Sequence, residues 1–169
     1  MTYIFETLRL GFREFVDGDK DFIIELLNSP GWLKFIGDRN VKTKDQASQY
    51  LLNGPIRSYK EYGHGLSMVE LKATGTPIGM CGIIHRKDLA IPDLGFAFLP
   101  EYIGKGYGFE IASATIAYAS EKLNIKELSA ITIPSNEKSI RLLEKLGFIF
   151  NKKFNFPDNT EELLLYIRK

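Results

Sequence analysis

A chain of 169 residues, 44% hydrophobic and 12% aromatic, has the size and apolar content of one domain with its own core, expected over residues 1–169. Its 22 basic and 21 acidic side chains leave a formal net charge of +1, which excludes the global field that would hold nucleic acid or an anionic membrane; any anion site has to be local. A single cysteine, Cys81, cannot make an internal disulfide, and with no signal-peptide core or membrane-length apolar run a cytoplasmic protein is expected.

Leu8, Leu10 and Phe12 alternate with Arg9, Gly11 and Arg13, the period of a half-buried strand. Asp17 or Asp19 then caps a short helix through Phe22, Ile23, Leu26 and Leu27, closed by Ser29-Pro30-Gly31, and residues 32–40 read as an aromatic-rich loop. Thr43-Lys44-Asp45-Gln46 has the form of a capping box and predicts a second helix through Tyr50 and Leu51, interrupted at Gly54-Pro55. Residues 65–71 and 77–84 are strands joined by the turn Ala73-Thr74-Gly75-Thr76, and Cys81 lies inside the second apolar run as a small core residue. Residues 93–99 form a third strand. Beyond a glycine-rich segment, Ile111, Ala112, Thr115, Ile116, Ala119 and Leu123 repeat at helical spacing from a start near Phe109. A strand at 126–133 completes a right-handed parallel βαβ unit. A helix over 136–146 stops at Gly147, and strands at 148–154 and 163–167 flank the turn Pro157-Asp158-Asn159. The order predicts an α/β protein of the α+β kind: a mixed, mostly antiparallel sheet of about seven strands with helices on both faces.

Chemistry concentrates in Pro100-Glu101-Tyr102-Ile103-Gly104-Lys105-Gly106-Tyr107-Gly108-Phe109. Glycines between a strand and a helix let backbone N–H groups converge, and the first helical turn adds unpaired donors and a positive dipole end, a combination that favours phosphate. A dinucleotide fingerprint requires G-x-G-x-x-G in the first strand-turn-helix unit, whereas this G-x-G-x-G lies past the midpoint. A Walker loop requires Ser or Thr after Gly-Lys, where Gly106 stands. The segment resembles instead the pyrophosphate-binding Q/R-x-x-G-x-G/A pattern of the GNAT superfamily of acyl-CoA-dependent N-acetyltransferases, with Ile103 at the Q/R place and Gly106 and Gly108 at the glycine places. Pro134-Ser135-Asn136-Glu137-Lys138-Ser139 and Leu143-Glu144-Lys145-Leu146-Gly147-Phe148 resemble its N-x-x-S and E-K-L-G-F elements. Glu6-Thr7-Leu8-Arg9-Leu10-Gly11-Phe12-Arg13 resembles the T-x-R-L-x-L-R start of the branch containing ribosomal-protein N-terminal acetyltransferases, which often carries an apolar residue at the Ile103 place.

The resemblance implies a GNAT-like fold whose sheet splays at the parallel pair. Phe98 and Leu99 would pair with the pantetheine arm of acetyl-CoA, the cosubstrate, with the Phe98 N–H facing the thioester oxygen. Ile103, Gly104, Lys105, Gly106, Tyr107, Gly108 and Phe109 would wrap the pyrophosphate. Asn136 would cap the following helix and bond pantetheine. The implied reaction is direct attack by a neutral amine of a small-molecule or peptide acceptor, which needs a base, and a backbone donor for the oxyanion. Asp93 is the preferred base, with Glu70 and His85 as competitors. The tyrosine acid of many relatives falls at Leu143, which leaves Ser139 to hydrogen-bond the departing sulfur or, alternatively, to serve as an ordinary first-turn residue. Lys138, Arg141 and Lys145 share one helix side, either as solvated surface or, with Lys105 and Lys122, as attraction for the 3′-phosphate. Trp32, Phe35, Tyr59 and Tyr62 fall in the acceptor segment. No metal, nucleic-acid or membrane partner is expected, and the chain would act as a monomer or homodimer. The alternative is a CoA-binding sensor module without transfer activity.

Overall fold

The computed structural model describes residues 2–169. Eight strands form one mixed sheet in the order β1-β2-β3-β4-β5-β6-β8-β7. They are β1 (Phe5–Glu6), β2 (Leu10–Arg13), β3 (Leu66–Leu71), β4 (Thr76–Ile84), β5 (Asp93–Phe98), β6 (Leu128–Thr132), β7 (Ile149–Phe154) and β8 (Leu163–Arg168). Among the described residues only β5 and β6 run parallel. Two-residue β1 is the strand that sequence periodicity passed over, because two residues carry no period.

Helices α1 (Lys20–Leu27), α2 (Pro30–Phe35), α3 (Lys44–Asn53) and α4 (Pro55–Tyr62) follow β2. The helix between β5 and β6 is α5 (Tyr107–Lys122), and α6 (Glu137–Lys145) lies between β6 and β7. The capping box is present: Thr43 accepts from the Gln46 N–H at 3.2 Å and Gln46 Oε1 accepts from the Thr43 N–H at 3.1 Å. Pro30, expected to end the first helix, instead occupies the first turn of α2, where its missing N–H costs nothing. Half of the expected aromatic loop is therefore helical.

Two cores lie on the two faces of the sheet. One packs α5 and α6 residues such as Ile111, Ile116 and Leu143 on Leu10, Ile78 and Leu94; the other packs α1–α3, through Ile23, Leu26, Trp32 and Leu51, on Met68, Met80 and Leu99. Cys81 belongs to the first, 3.5 Å from Thr115 Oγ1, and burial pushes its thiol up to about 12, so it is a packing residue. The simple alternation expected at 8–13 fails at both ends. Leu8 is 86% exposed outside the strand, while Arg13 is buried in a network with Glu70 (2.6 Å) and Asp19 (2.9 Å). Burial opposes the Arg13 charge, but its bonds to Asp19 and Glu70 outweigh that and raise its pKa. No helix among the described residues is long and apolar enough to cross a membrane.

Candidate active site

The parallel pair touches at one register position, Asp93 opposite Ser129, where the Ser129 N–H donates to the Pro92 carbonyl at 2.9 Å. Beyond it the strands part, although β5 stays paired to β4 along its length and β6 to β8. Antiparallel pairs alternate between bonded and non-bonded partners, and the Leu99 N–H donates to Ile78 O at 2.9 Å, which fixes the phase. The backbone groups of Ala97 and Gly95 then face β4, and those of Phe96 and Phe98 face the gap. The Phe98 N–H, expected to face the thioester oxygen, lies on this open edge. Leu99 does not: its N–H is spent on Ile78 and its carbonyl on the Tyr102 N–H, so the strand edge open to a ligand is made by Phe96 and Phe98.

A 3₁₀ turn over Pro100–Tyr102 and a glycine loop lead from β5 into α5, which starts at Tyr107, two residues before the expected Phe109. Gly104 and Gly106 both take φ of 81°, a left-handed conformation that side-chain-bearing residues avoid. Gly108 has a different reason: a Cβ there would meet Leu142 Cδ2 at 3.2 Å. The N–H groups of Gly104, Lys105, Gly106, Tyr107, Gly108 and Phe109 have no acceptor among the described residues; the first N–H of the segment to find one is Glu110, bonded to Gly106 O. Six consecutive free donors at a helix N-terminus have the chemistry to receive an anion.

Sequence reasoning missed what holds this loop. Arg9 Nε pairs with Glu110 Oε2 at 2.7 Å, Arg9 Nη1 donates to the Lys105 carbonyl at 3.1 Å, and the guanidinium lies 4.4 Å over the Tyr107 ring. Thr7 Oγ1 and the Arg9 N–H both donate to Glu110 Oε1, at 2.6 and 2.9 Å. These bonds outweigh desolvation and lower the Glu110 pKa. Among the basic residues considered for the 3′-phosphate, Lys145 reaches the loop, 4.2 Å over Phe109. Lys122 cannot, because it ends α5, about 22 Å along the axis from Tyr107.

Asp93, Asn136, Ser139 and Leu143 line the cavity between the parted strands, about 600 Å³ in volume. Asp93 is not the solvated strand-start residue that its position in sequence suggests: it is 1% exposed and pairs with Arg86 Nε at 3.0 Å. Burial raises its pKa to about 6, with Arg86 pulling the other way. Asn136 Oδ1 caps α6 by accepting from the Ser139 N–H at 3.3 Å, which leaves its amide NH₂ uncommitted, and the Ser139 hydroxyl has no partner. The two competing bases lie elsewhere. Glu70 is locked by Arg13 and by Tyr3 (3.1 Å), and His85 sits 3.2 Å from His64 and stacks on Tyr62 at 4.2 Å.

Trp32 and Phe35 of α2 form the helical wall of the cavity, with Arg39 and Tyr50. A second cavity of about 840 Å³ continues outward between α3, α4 and the end of β4, and it is lined by Tyr62 and His85. Tyr59 is structural: its hydroxyl accepts from the Phe15 N–H at 3.0 Å and donates to Leu66 O.

Residues 9–149 match the family model described as an acetyltransferase (GNAT) domain. The uncharacterized protein YkkB of Bacillus subtilis (strain 168) is 31% identical over 157 residues, covering 89% of this chain and 90% of that protein. An acetyltransferase of Agrobacterium tumefaciens str. C58 superposes with a TM-score of 0.82 at 25% identity, covering 98% and 93% of the two chains. The ribosomal-protein-S5-alanine acetyltransferase of Vibrio fischeri shares the fold with a TM-score of 0.80 at 22% identity, over 97% and 94%. The parted strands, the free amides and the family match lead to one conclusion: this chain belongs to the GNAT acetyltransferase family and is an acyltransferase.

Proposed function

We propose that the protein transfers the acetyl group of acetyl-CoA to a primary amine, of a small molecule or a peptide, by direct attack within a ternary complex. The observation that carries this reading is the adjacency of a strand edge left open by the β5–β6 parting and six unpaired N–H groups at the start of α5. An extended amide-bearing arm ending in a diphosphate has the chemistry to occupy both, so the residues present fit this cosubstrate. Gly104 to Phe109 would hold the diphosphate, without Ile103, whose N–H is spent on the Pro100 carbonyl at 3.2 Å, and Lys145 would add a cation beside it; Phe96, Phe98 and the Asn136 amide would hold the arm. When bound, the cosubstrate supplies an activated thioester carbonyl.

This chain's residues supply the rest. The Phe98 N–H, fixed by the β4 ladder, is a preset donor for negative charge on the carbonyl oxygen, and losing such a donor costs about 10²-fold or more in rate. Asp93, with a pKa near 6, is ionised at neutral pH and takes the proton from the acceptor ammonium, through water because it is buried. The Ser139 hydroxyl, free of protein partners, donates to the departing sulfur. The test is thiol release on mixing acetyl-CoA with an amine panel. Turnover is expected; stabilisation by acetyl-CoA with silence across the whole panel would favour a CoA sensor, and no stabilisation at all would end both readings.

A further inference from the structure

Hydrogen-bond donors without acceptors gather where the cleft meets the outer cavity. Arg39, Tyr50, Leu66 and Ile84 line both spaces and so form the neck between them. Arg39 has no ion pair or hydrogen bond among the described residues, and the Tyr50 phenol, packed on the α1–α3 core, has none either. Beside them on the cleft wall stands Trp32, 7% exposed, whose indole Nε1 is buried without a partner. A buried donor left unpaired is costly, which applies to the Trp32 indole; the exposed Arg39 guanidinium and the half-buried Tyr50 phenol stand beside it, and all three lack an oxygen acceptor among the described residues.

Charge points the same way. Arg39 and Arg86 both stand close enough to Tyr50 to oppose the rise that burial gives its pKa. Arg86 is committed to Asp93, which leaves the neck with one surplus cation, Arg39. Of the carboxylates that line the two cavities, Glu61 is held by Arg57 at 2.7 Å, while Asp45 on the outer cavity and Glu161 on the cleft make no ion pair among the described residues and are not among the residues shared by both spaces. Arg39 is the one cation at the neck itself, where a guanidinium and a phenol are fitting partners for an oxyanion.

We infer that the acceptor is an amine bearing a carboxylate, which Arg39 and Tyr50 hold at the neck while the amine lies toward Asp93. This rests on the acetyl-transfer reading above. The carboxylate has two sources, the main-chain acid of a free amino acid or an acidic side chain beside a peptide N-terminus.

The experiment measures kcat/KM at saturating acetyl-CoA for matched acceptors: an amino acid and its amide, a short peptide with Glu at its second position and the same peptide with Gln, and spermidine. At least one carboxylate-bearing member is expected to exceed its amide counterpart by about 10-fold, through KM rather than kcat, and the responding pair identifies the source. Arg39→Gln should bring that ratio close to one, Tyr50→Phe should lower it by a smaller factor, and added salt should shrink it in the wild type. Equal or better use of the amides or spermidine, or a ratio that survives Arg39→Gln, overturns the inference while leaving acetyl transfer intact. Silence with every amine overturns both.

Discussion

The glycine loop before α5 and the helical wall built by α2 and α3 meet at one cavity, yet they are made of different material. The loop presents main chain: six N–H groups are left free where Gly104 and Gly106 turn left-handed and where Arg9 and Glu110 tie the loop to the start of α5. The wall presents side chains, Trp32, Phe35, Arg39 and Tyr50, carried by elements that touch the cavity only after packing on the sheet. Backbone sites tolerate change in neighbouring side chains and fail when a glycine is replaced. Side-chain sites fail piecemeal, and each change alters selectivity before it alters folding.

The largest effect should come from the loop. Gly106→Trp forces a bulky residue to φ 81° with Arg9 Nη2 3.3 Å from its Cβ, and CoA affinity should fall by about 100-fold or more in calorimetry while far-UV circular dichroism is unchanged. Retained affinity would mean that the diphosphate lies elsewhere.

Asp93→Asn should lower kcat/KM by about 10²–10⁴ and remove the acid limb of the pH profile, which in the wild type falls as pH drops through about 6. The stability sign is opposite to that of an ordinary paired carboxylate. Because the folded pKa is raised, the Asp93 contribution is fully present below the unfolded value near 3.8 and is lost as pH rises through about 6. Wild-type stability relative to Asp93→Asn should therefore decrease by about 2 kcal/mol between pH 4 and pH 7, less whatever the variant loses at Arg86, as read by urea melts at each pH.

Smaller effects sharpen the contrast. Ser139→Ala should slow kcat by about 10-fold and leave the CoA Kd nearly unchanged, because the hydroxyl meets only the departing sulfur. A full rate across pH would remove Ser139 from the mechanism. Arg9→Ala frees Glu110 and the Lys105 carbonyl without touching the N–H groups, so CoA should bind a few-fold more weakly, about 1 kcal/mol, with kcat unaltered at saturation.

Motifs whose physics is local were legible. Thr43 and Gln46 cap α3 as their spacing demands, Asn136 caps α6, and Gly147 at φ 88° ends that helix. The glycine spacing also located the turn with unpaired N–H groups before α5, because a left-handed turn and a helix N-terminus depend on few residues. Reading failed where a residue's role depends on a distant partner. Leu99 looked like an open edge but is consumed by Ile78; the burial of Asp93 against Arg86 carried no local signal; Lys122 looked near the loop but lies a helix length away. Thr7 and Arg9, about a hundred positions from Glu110, carried no local signal of their clamp on α5.

The chain's own order of residues settled most of the succession of strands and helices, the family and the glycine turn before α5, since periodicity, caps and glycine conformations act over a few neighbours. Only the folded sheet decided which main-chain groups stay free, since that follows from strand phase and from the single contact between β5 and β6. It also decided which charges meet at the cavity, because burial and pairing arise when elements far apart in sequence are brought within a few ångströms.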